Sequence, residues 1–339
     1  MKKKTSTPNI NDLTREFNKR KPKYDSLREE AIHTLEKRLK ESGIKIHSIP
    51  SRVKDLDSFL GKIERKQYEN PFEQMQDFVG LRIICLFLSD IPKISEIISK
   101  TFEVIESEDK VDGGDTSSFG YMSVHHIVEF GDDVKGDRYD DIKGIPFEIQ
   151  VRTIAMDSWA NVSHYLEYKS EQDIPDELKR DFNALSGMFY VADKHFQLFF
   201  EQRREKQEKI SETFEKGDEK NRDKQPINLD TLIAFMRDKF PGREVSDSNS
   251  VSILINELFN SGYETIGQIE ELVNNSWNAF IKYEEARPPF SDKGRKYVDV
   301  GVVRTIGKIA NDNFFEISKK PGEYKSDYEK FRHLLKNSK

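Results

Sequence analysis

Only one of the 339 residues is cysteine, Cys85. A disulfide framework needs pairs, and a zinc site of the usual spacing needs several thiols, so both are excluded and a reducing, cytoplasmic setting fits. Cys85 lies inside an apolar run and reads as a small core residue. Long hydrophobic runs are missing too. No stretch approaches the ~20 apolar residues that span a bilayer, so no membrane role is expected. The basic opening MKKKTSTPNINDL lacks the apolar segment that would make it a secretory signal. Excess positive charge is also absent. A formal net charge of −6 argues against a general nucleic-acid coat and leaves a local basic cleft open. There is no internal repeat and no Walker-A phosphate loop.

The chain does have charge, 34% of its residues, and aromatics. Its 23 Phe and 12 Tyr can build cores although only 35% of the chain is apolar. The length suits about two domains. Residues 1–23 are polar and read as loose or weakly helical. Helix formers dominate Tyr24–Lys40, with Leu27, Ala31, Leu35 and Leu39 at four-residue steps and Gly43 as a stop. A strand is expected over 44–53, then a helix over 55–66. Arg52, Lys54, Lys62, Arg65 and Lys66 make this strand–helix unit basic, either a solvated face or a cleft for polyphosphate. The run DFVGLRIICLFL at 77–88 reads as a buried strand with Asp77 at its mouth. Arg82 inside it must meet a carboxylate or a ligand, because a buried unpaired charge is costly. A helix from Pro92 and a strand from Phe102 lead to an acidic loop, 107–120, in which Lys110 is the nearest base.

In YMSVHHIVEF, 121–130, the alternation puts Tyr121, Ser123 and His125 on one face and His126 on the other. The stretch from Phe147 to Lys169 then runs from strand into helix. Phe147, Ile149 and Val151 alternate with Glu148, Gln150 and Arg152. Thr153 sits where an N-cap belongs. Beyond it, Ala155, Trp159, Val162 and Leu166 follow the spacing of a buried stripe, and Asp157, Asn161 and His164 form a polar face roughly 200° round the helix. An apolar stripe from Leu178 through Phe182, Leu185 and Phe189, extended by Phe196, Phe199 and Phe200, marks further helix. The run 201–224 is almost entirely charged, and 213–226 is taken as a linker. Residues 227–339 read as a smaller, mostly helical interaction or regulatory region without a catalytic constellation.

Three strands thus present polar faces. Asp77 and Glu148 come from separate strands and suit a shared Mg²⁺, which takes one or two protein carboxylates and completes its shell with water and substrate phosphates. Tyr121 suits stacking on a base, and Asp157 suits the N–H donors of guanine. The bland alternative for each is an edge aromatic and a first-turn helix charge. Together they point to nucleotide chemistry of the phosphoryl-transfer class.

These motifs resemble the alarmone synthetase domain of the RelA/SpoT family over 24–212. The residues that carry the resemblance are RVK at 52–54 with Ser58 and Lys62, DFVGLRI at 77–83, GYMSVH at 120–125 and EIQVRTIAMDSWANVSHYLEYK at 148–169. The resemblance implies an α/β (α+β) fold, with a nucleotidyltransferase-like mixed sheet flanked by helices. It implies an ATP-dependent pyrophosphokinase that moves the terminal pyrophosphate of ATP to the 3′-hydroxyl of GDP or GTP, giving (p)ppGpp in the stringent response. No His-Asp dipeptide occurs, so a synthetase-only type with a C-terminal extension is expected. The resemblance assigns Arg52, Lys54, Lys62 and Arg82 to ATP, with Arg52 and Arg82 around adenine. It assigns Asp77 and Glu148 to Mg²⁺, Glu148 also to the hydroxyl proton, and Tyr121, His125, Gln150, Arg152, Asp157 and Lys110 to the acceptor side. Three departures bear on the acceptor: the acidic VDGGDTSSF before Tyr121, Met122 where the family has Arg or Gln, and Ser163 where it commonly has Glu. They leave two other readings open, a toxin-type synthetase acting on the 3′ end of tRNA and a catalytically inactive nucleotide-binding regulator. A homo-oligomer, or a protein partner bound through 227–339, is the expected assembly.

Overall fold

The computed structural model describes residues 9–109, 123–166, 174–215, 219–289 and 295–336. The chain falls into two units, Met1–Phe200 and Glu201–Lys339. The division lies ahead of the expected 213–226 segment. Residues 201–215 stay helical, and Ile210 and Phe214 are buried in the core of the second unit.

The first unit opens with helix α1, Ile10–Ser42. It begins well before the expected Tyr24. Asn9 caps it by accepting from the Asn11 amide, and Leu13 and Phe17 extend the buried stripe of Tyr24, Leu27, Ala31, Leu35 and Leu39. Pro22 lies inside this helix on an exposed position. Interior proline costs about 3 kcal/mol, and burying Leu13 and Phe17 returns about 1.5–3 kcal/mol each. Phe17 stacks on Phe59 at 5.1 Å and Tyr24 on Phe78 at 4.6 Å. Gly43, at φ +72°, ends the helix in a left-handed turn that other residues adopt reluctantly.

The strand expected over 44–53 is split into β1, Ile46–Ser48, and β2, Ser51–Val53. Pro50 interrupts it because proline has no amide to give the ladder; its carbonyl instead accepts from the Arg82 amide at 2.8 Å. Helices α2, Leu56–Lys66, and α3, Pro71–Gln74, follow, then β3, Val79–Cys85, α4, Asp90–Thr101, and β4, Glu103–Asp109. After them come β5, Val124–Glu129, α5, Asp137–Asp140, β6, Phe147–Thr153, α6, Ile154–Tyr165, and α7, Asp176–Glu215. Among the described residues the strands form one mixed sheet in the order β1-β3-β6-β5-β4, with β2 also paired to β3. Strands β3 and β6 run parallel at its centre and the other pairings are antiparallel.

One face of the sheet is core. Leu81, Ile83, Phe147, Ile149, Val151, Val124 and Val128 are buried there with Leu27, Ala31 and Leu35 of α1 and Ile94 and Ile98 of α4. The other face carries Gly80, Arg82, His125, Glu148, Gln150 and Arg152. Helix α6 packs on the ends of β3 and β6. Its buried residues are Ala155, Met156, Trp159 and Ala160. Val162 and Leu166, expected in the stripe, are half exposed because only the first two turns of α6 lie against the unit's core. The α7 stripe departs similarly. Phe182 and Phe189 pack on Trp159, whereas Leu178, Leu185, Phe196 and Phe199 are exposed.

The second unit is helical beyond α7: α8, Glu219–Asp223, α9, Leu229–Lys239, α10, Ser248–Asn260, α11, Ile266–Ala286, α12, Asp299–Ala310, α13, Asp312–Ser318, and α14, Lys325–Glu329. Its core joins Phe235 and Met236 of α9, Leu254 and Leu258 of α10, Val273 and Phe280 of α11, and Val303 and Ile306 of α12. No described helix is long and apolar enough to cross a membrane.

Candidate active site

Glycine 80 forms the floor of a cleft. A Cβ at Gly80 would meet nothing within 4 Å, so the space above it is open. The sheet register sets its walls. Arg52 of β2 pairs with Gly80 on one side and Glu148 of β6 pairs with it on the other. Arg82 and Gln150 form the next rung. The resulting cleft, about 200 Å³, is lined by Arg52, Arg82, Glu148 and Gln150 with Pro50 and Leu81. Arg52 is exposed and makes no ion pair among the described residues.

Glu148 is the most constrained group on this face. Its Oε1 accepts from His125 Nδ1 at 2.9 Å, and its Oε2 accepts from Gln150 Nε2 at 2.9 Å. Burial would raise its pKa, but the bonds from His125 and Gln150 outweigh burial and hold it below the ordinary carboxylate value. His125 Nε2 lies 2.7 Å from Ser123 Oγ. With Nδ1–H committed to an ionised Glu148, the Ser123 hydroxyl donates to Nε2 in the neutral ring. The line Ser123–His125–Glu148–Gln150 therefore runs across two strands. The neighbouring His126 points into the other face, between Ser107 Oγ and Ser95 Oγ, each at 3.0 Å.

Asp77 stands just before β3, close enough to Glu148 for its charge to be felt there. Its Oδ2 accepts from Lys54 Nζ at 3.0 Å and lies 2.8 Å from Lys62 Nζ. Burial raises its pKa and the two lysines lower it further, leaving it below the ordinary value. The helix holding Lys62 is fixed by Asp55, which accepts from the Ser58 amide at 2.7 Å. The buried Asp77 Oδ1 has no hydrogen-bond partner among the described residues. Two carboxylates, one with a vacant oxygen, fit the modest protein share of a Mg²⁺ shell. Among the described residues no group of three or more His, Cys, Asp or Glu could hold a metal unaided.

A second charge cluster lies at the start of α6, which Thr153 caps through the Met156 amide at 3.1 Å. Asp157 Oδ1 accepts from Arg82 at 2.8 Å and lies 3.7 Å from Arg152. Its Oδ2 accepts from Asn161 at 2.9 Å. Arg152 is fully buried. Burial and the Arg82 charge push its pKa down, with Asp157 opposing. Arg82 thus resolves its burial by meeting a carboxylate. Cys85 is a core residue, its thiol pushed up to about 12 by burial.

The structure brings together Arg52, Lys54, Lys62, Asp77, Arg82, His125, Glu148, Gln150, Arg152 and Asp157. Lys110 and Tyr121 lie outside the described residues. Sequence reasoning passed over Ser123 and Asn161 as site residues. The signals were present, since Ser123 is two residues from His125 on one strand face and Asn161 is one helical turn from Asp157. Asp193 of α7 was also missed. It accepts a 2.5 Å hydrogen bond from Thr153 Oγ1 and gave no pattern in sequence.

The region found in RelA/SpoT proteins matches residues 51–173. GTP pyrophosphokinase YwaC of Bacillus subtilis is 31% identical over 155 residues, 44% of this chain and 71% of that enzyme. The chain belongs to the RelA/SpoT family. GTP pyrophosphokinase YjbM of the same organism is 36% identical over 138 residues, covering 40% of this chain and 62% of YjbM, just under two thirds of its length. Among solved structures, small alarmone synthetase 1 from Bacillus subtilis bound to its product pppGpp aligns with 56% of this chain and 99% of that one, at 26% identity and a TM-score of 0.46. The matched region of this family member contains β2, β3, β5 and β6, which carry the cleft residues.

Proposed function

We propose that the N-terminal unit is an ATP-dependent pyrophosphokinase acting on GDP or GTP. The observation that carries this reading is Glu148. It is an ionised, oriented carboxylate that lines the open cleft beside Arg52 and Arg82, on a face shared with Asp77. YjbM and YwaC bear the name GTP pyrophosphokinase, which supports the same acceptor.

In this reading Arg52 and Arg82 flank the adenine of ATP over Gly80. Lys54 and Lys62, 3.0 and 2.8 Å from Asp77, turn their ammonium groups to the phosphates. Asp77 and Glu148 would hold Mg²⁺, which supplies charge neutralisation on the triphosphate. Asp157 and Arg152 take the acceptor side, where Asp157 meets guanine and Gln150 and His125 line the ribose. The 3′-oxygen attacks the β-phosphorus of ATP. A bond forms between them, the bond from that phosphorus to the α,β-bridging oxygen breaks, and AMP leaves. Glu148 takes the hydroxyl proton. Such transfer depends on in-line placement and charge neutralisation more than on covalent catalysis. Arg82 lies between the two substrates, so a donor that draws it away leaves Asp157 free for the acceptor base.

The test is incubation of the full chain with γ-labelled ATP and GDP, GTP or deacylated tRNA. Label is expected on GDP or GTP. Label on tRNA alone would overturn the assigned acceptor, and label on none of the three would overturn the enzyme.

A further inference from the structure

We propose that the C-terminal unit holds a second ligand site, for a phosphate-bearing small molecule, in the cavity walled by α12. The cavity measures about 830 Å³, within the range of about 300–1,000 Å³ usual for small-molecule pockets. Gly301, Arg304 and Lys308 line it at i, i+3 and i+7, one face of α12.

The two cations on this face are held but not saturated. Arg304 gives Nε to Glu257 at 2.7 Å and, among the described residues, has no other hydrogen-bond acceptor. Lys308 is 3% exposed and donates to Glu323 alone among the described residues. A guanidinium carries five N–H donors and an ammonium three, so both keep donors to offer the cavity they line. Arg304 is half-buried and Lys308 buried, each against one carboxylate. Burial pushes the Lys308 pKa down and Glu323 holds it back. Arg243, also on the wall, differs. It is closed off by a two-pronged pair with Glu284 at 2.7 and 3.0 Å and by the Tyr297 carbonyl.

At the mouth, Lys296 and Lys320 are exposed and make no ion pair among the described residues. Lys296 and Lys320 thus join Arg304 and Lys308, with Arg243 and Arg295 also on the wall, against Glu244 and Glu323, of which Glu323 is spent on Lys308. Converging Arg and Lys donors match the several oxygens of a phosphate group better than a single carboxylate. The volume leaves room for an organic remainder beside Tyr297.

The test is hydrogen–deuterium exchange of the full chain with inorganic tripolyphosphate as the probe. Protection is expected over 296–308 and 320–328. In the double variant Lys296→Glu/Lys320→Glu, which touches neither the buried cations nor the cleft above Gly80, half-maximal protection there should need roughly tenfold more probe. Protection confined to segments around Arg52 and Lys62 would overturn the proposal. So would protection at 296–308 that the double variant leaves unchanged.

Discussion

Asp77 answers to two lysines and Asp157 to two arginines, whereas Glu284 and Glu257 in the C-terminal unit each hold one arginine. The difference separates two uses of the same chemistry. A buried pair that closes on itself fixes a fold and leaves little for a ligand. A carboxylate shared by two cations leaves net positive charge beside it, which a bound anion can use. On the sheet face this surplus lies over a cleft with a glycine floor. In the C-terminal unit Glu270 is likewise shared, by Arg222 and Lys239, and Asp312 by Lys325 and Arg332, whereas Arg304 and Lys308 each meet one carboxylate beside a cavity.

The largest effect expected from breaking the contrast is Glu284→Ala. It strands Arg243, 8% exposed, and should cost about 3–5 kcal/mol, read as a lowered calorimetric transition. Pyrophosphate transfer measured below that transition should be unchanged. Asp77→Asn should act on both. It leaves the buried Lys54 ammonium without a counter-charge, at about 1–3 kcal/mol of stability, and transfer falls on the order of 10²–10³-fold through lost charge organisation. Thr153→Ala removes the α6 cap and the donor to Asp193, and should cost about 1–3 kcal/mol in chemical denaturation.

The smallest effect is a pH slope. Burial lowers the His126 pKa in the folded chain, so the unfolded chain binds the proton more readily. Stability from this residue is present above the unfolded value of about 6.5 and is lost as pH falls towards the folded value. His126→Asn should flatten denaturation midpoints between pH 7 and 5. The depressed Asp77 and Glu148 have the same sign at lower pH. Their contribution is present above about pH 4 and lost below it as the carboxylates protonate.

Much of the site was legible because its strands carry it by simple alternation. Glu148, Gln150 and Arg152 could be assigned to one face from period two, and His125 could be separated from His126 in the same way. Gly43 and Thr153 were readable as stop and cap because those positions demand particular residues. The onset of α1 was not readable, because Leu13 and Phe17 are isolated in polar sequence and take their meaning from Phe59 and Phe78. Nor could sequence show that α6 leaves the core after two turns, since Val162 and Leu166 satisfy the same spacing as Trp159. The pairing of Arg82 with Asp157 links residues 75 positions apart and depends on the parallel β3–β6 register.

The most direct measurement is single-turnover transfer by Glu148→Gln alongside its affinity for ATP. Glutamine keeps the shape and the contact to Gln150 but cannot take a proton. A loss of about 10²–10⁴-fold in rate, with ATP affinity within a few-fold of wild type, is the predicted result. Near-normal turnover in this variant would contradict the account.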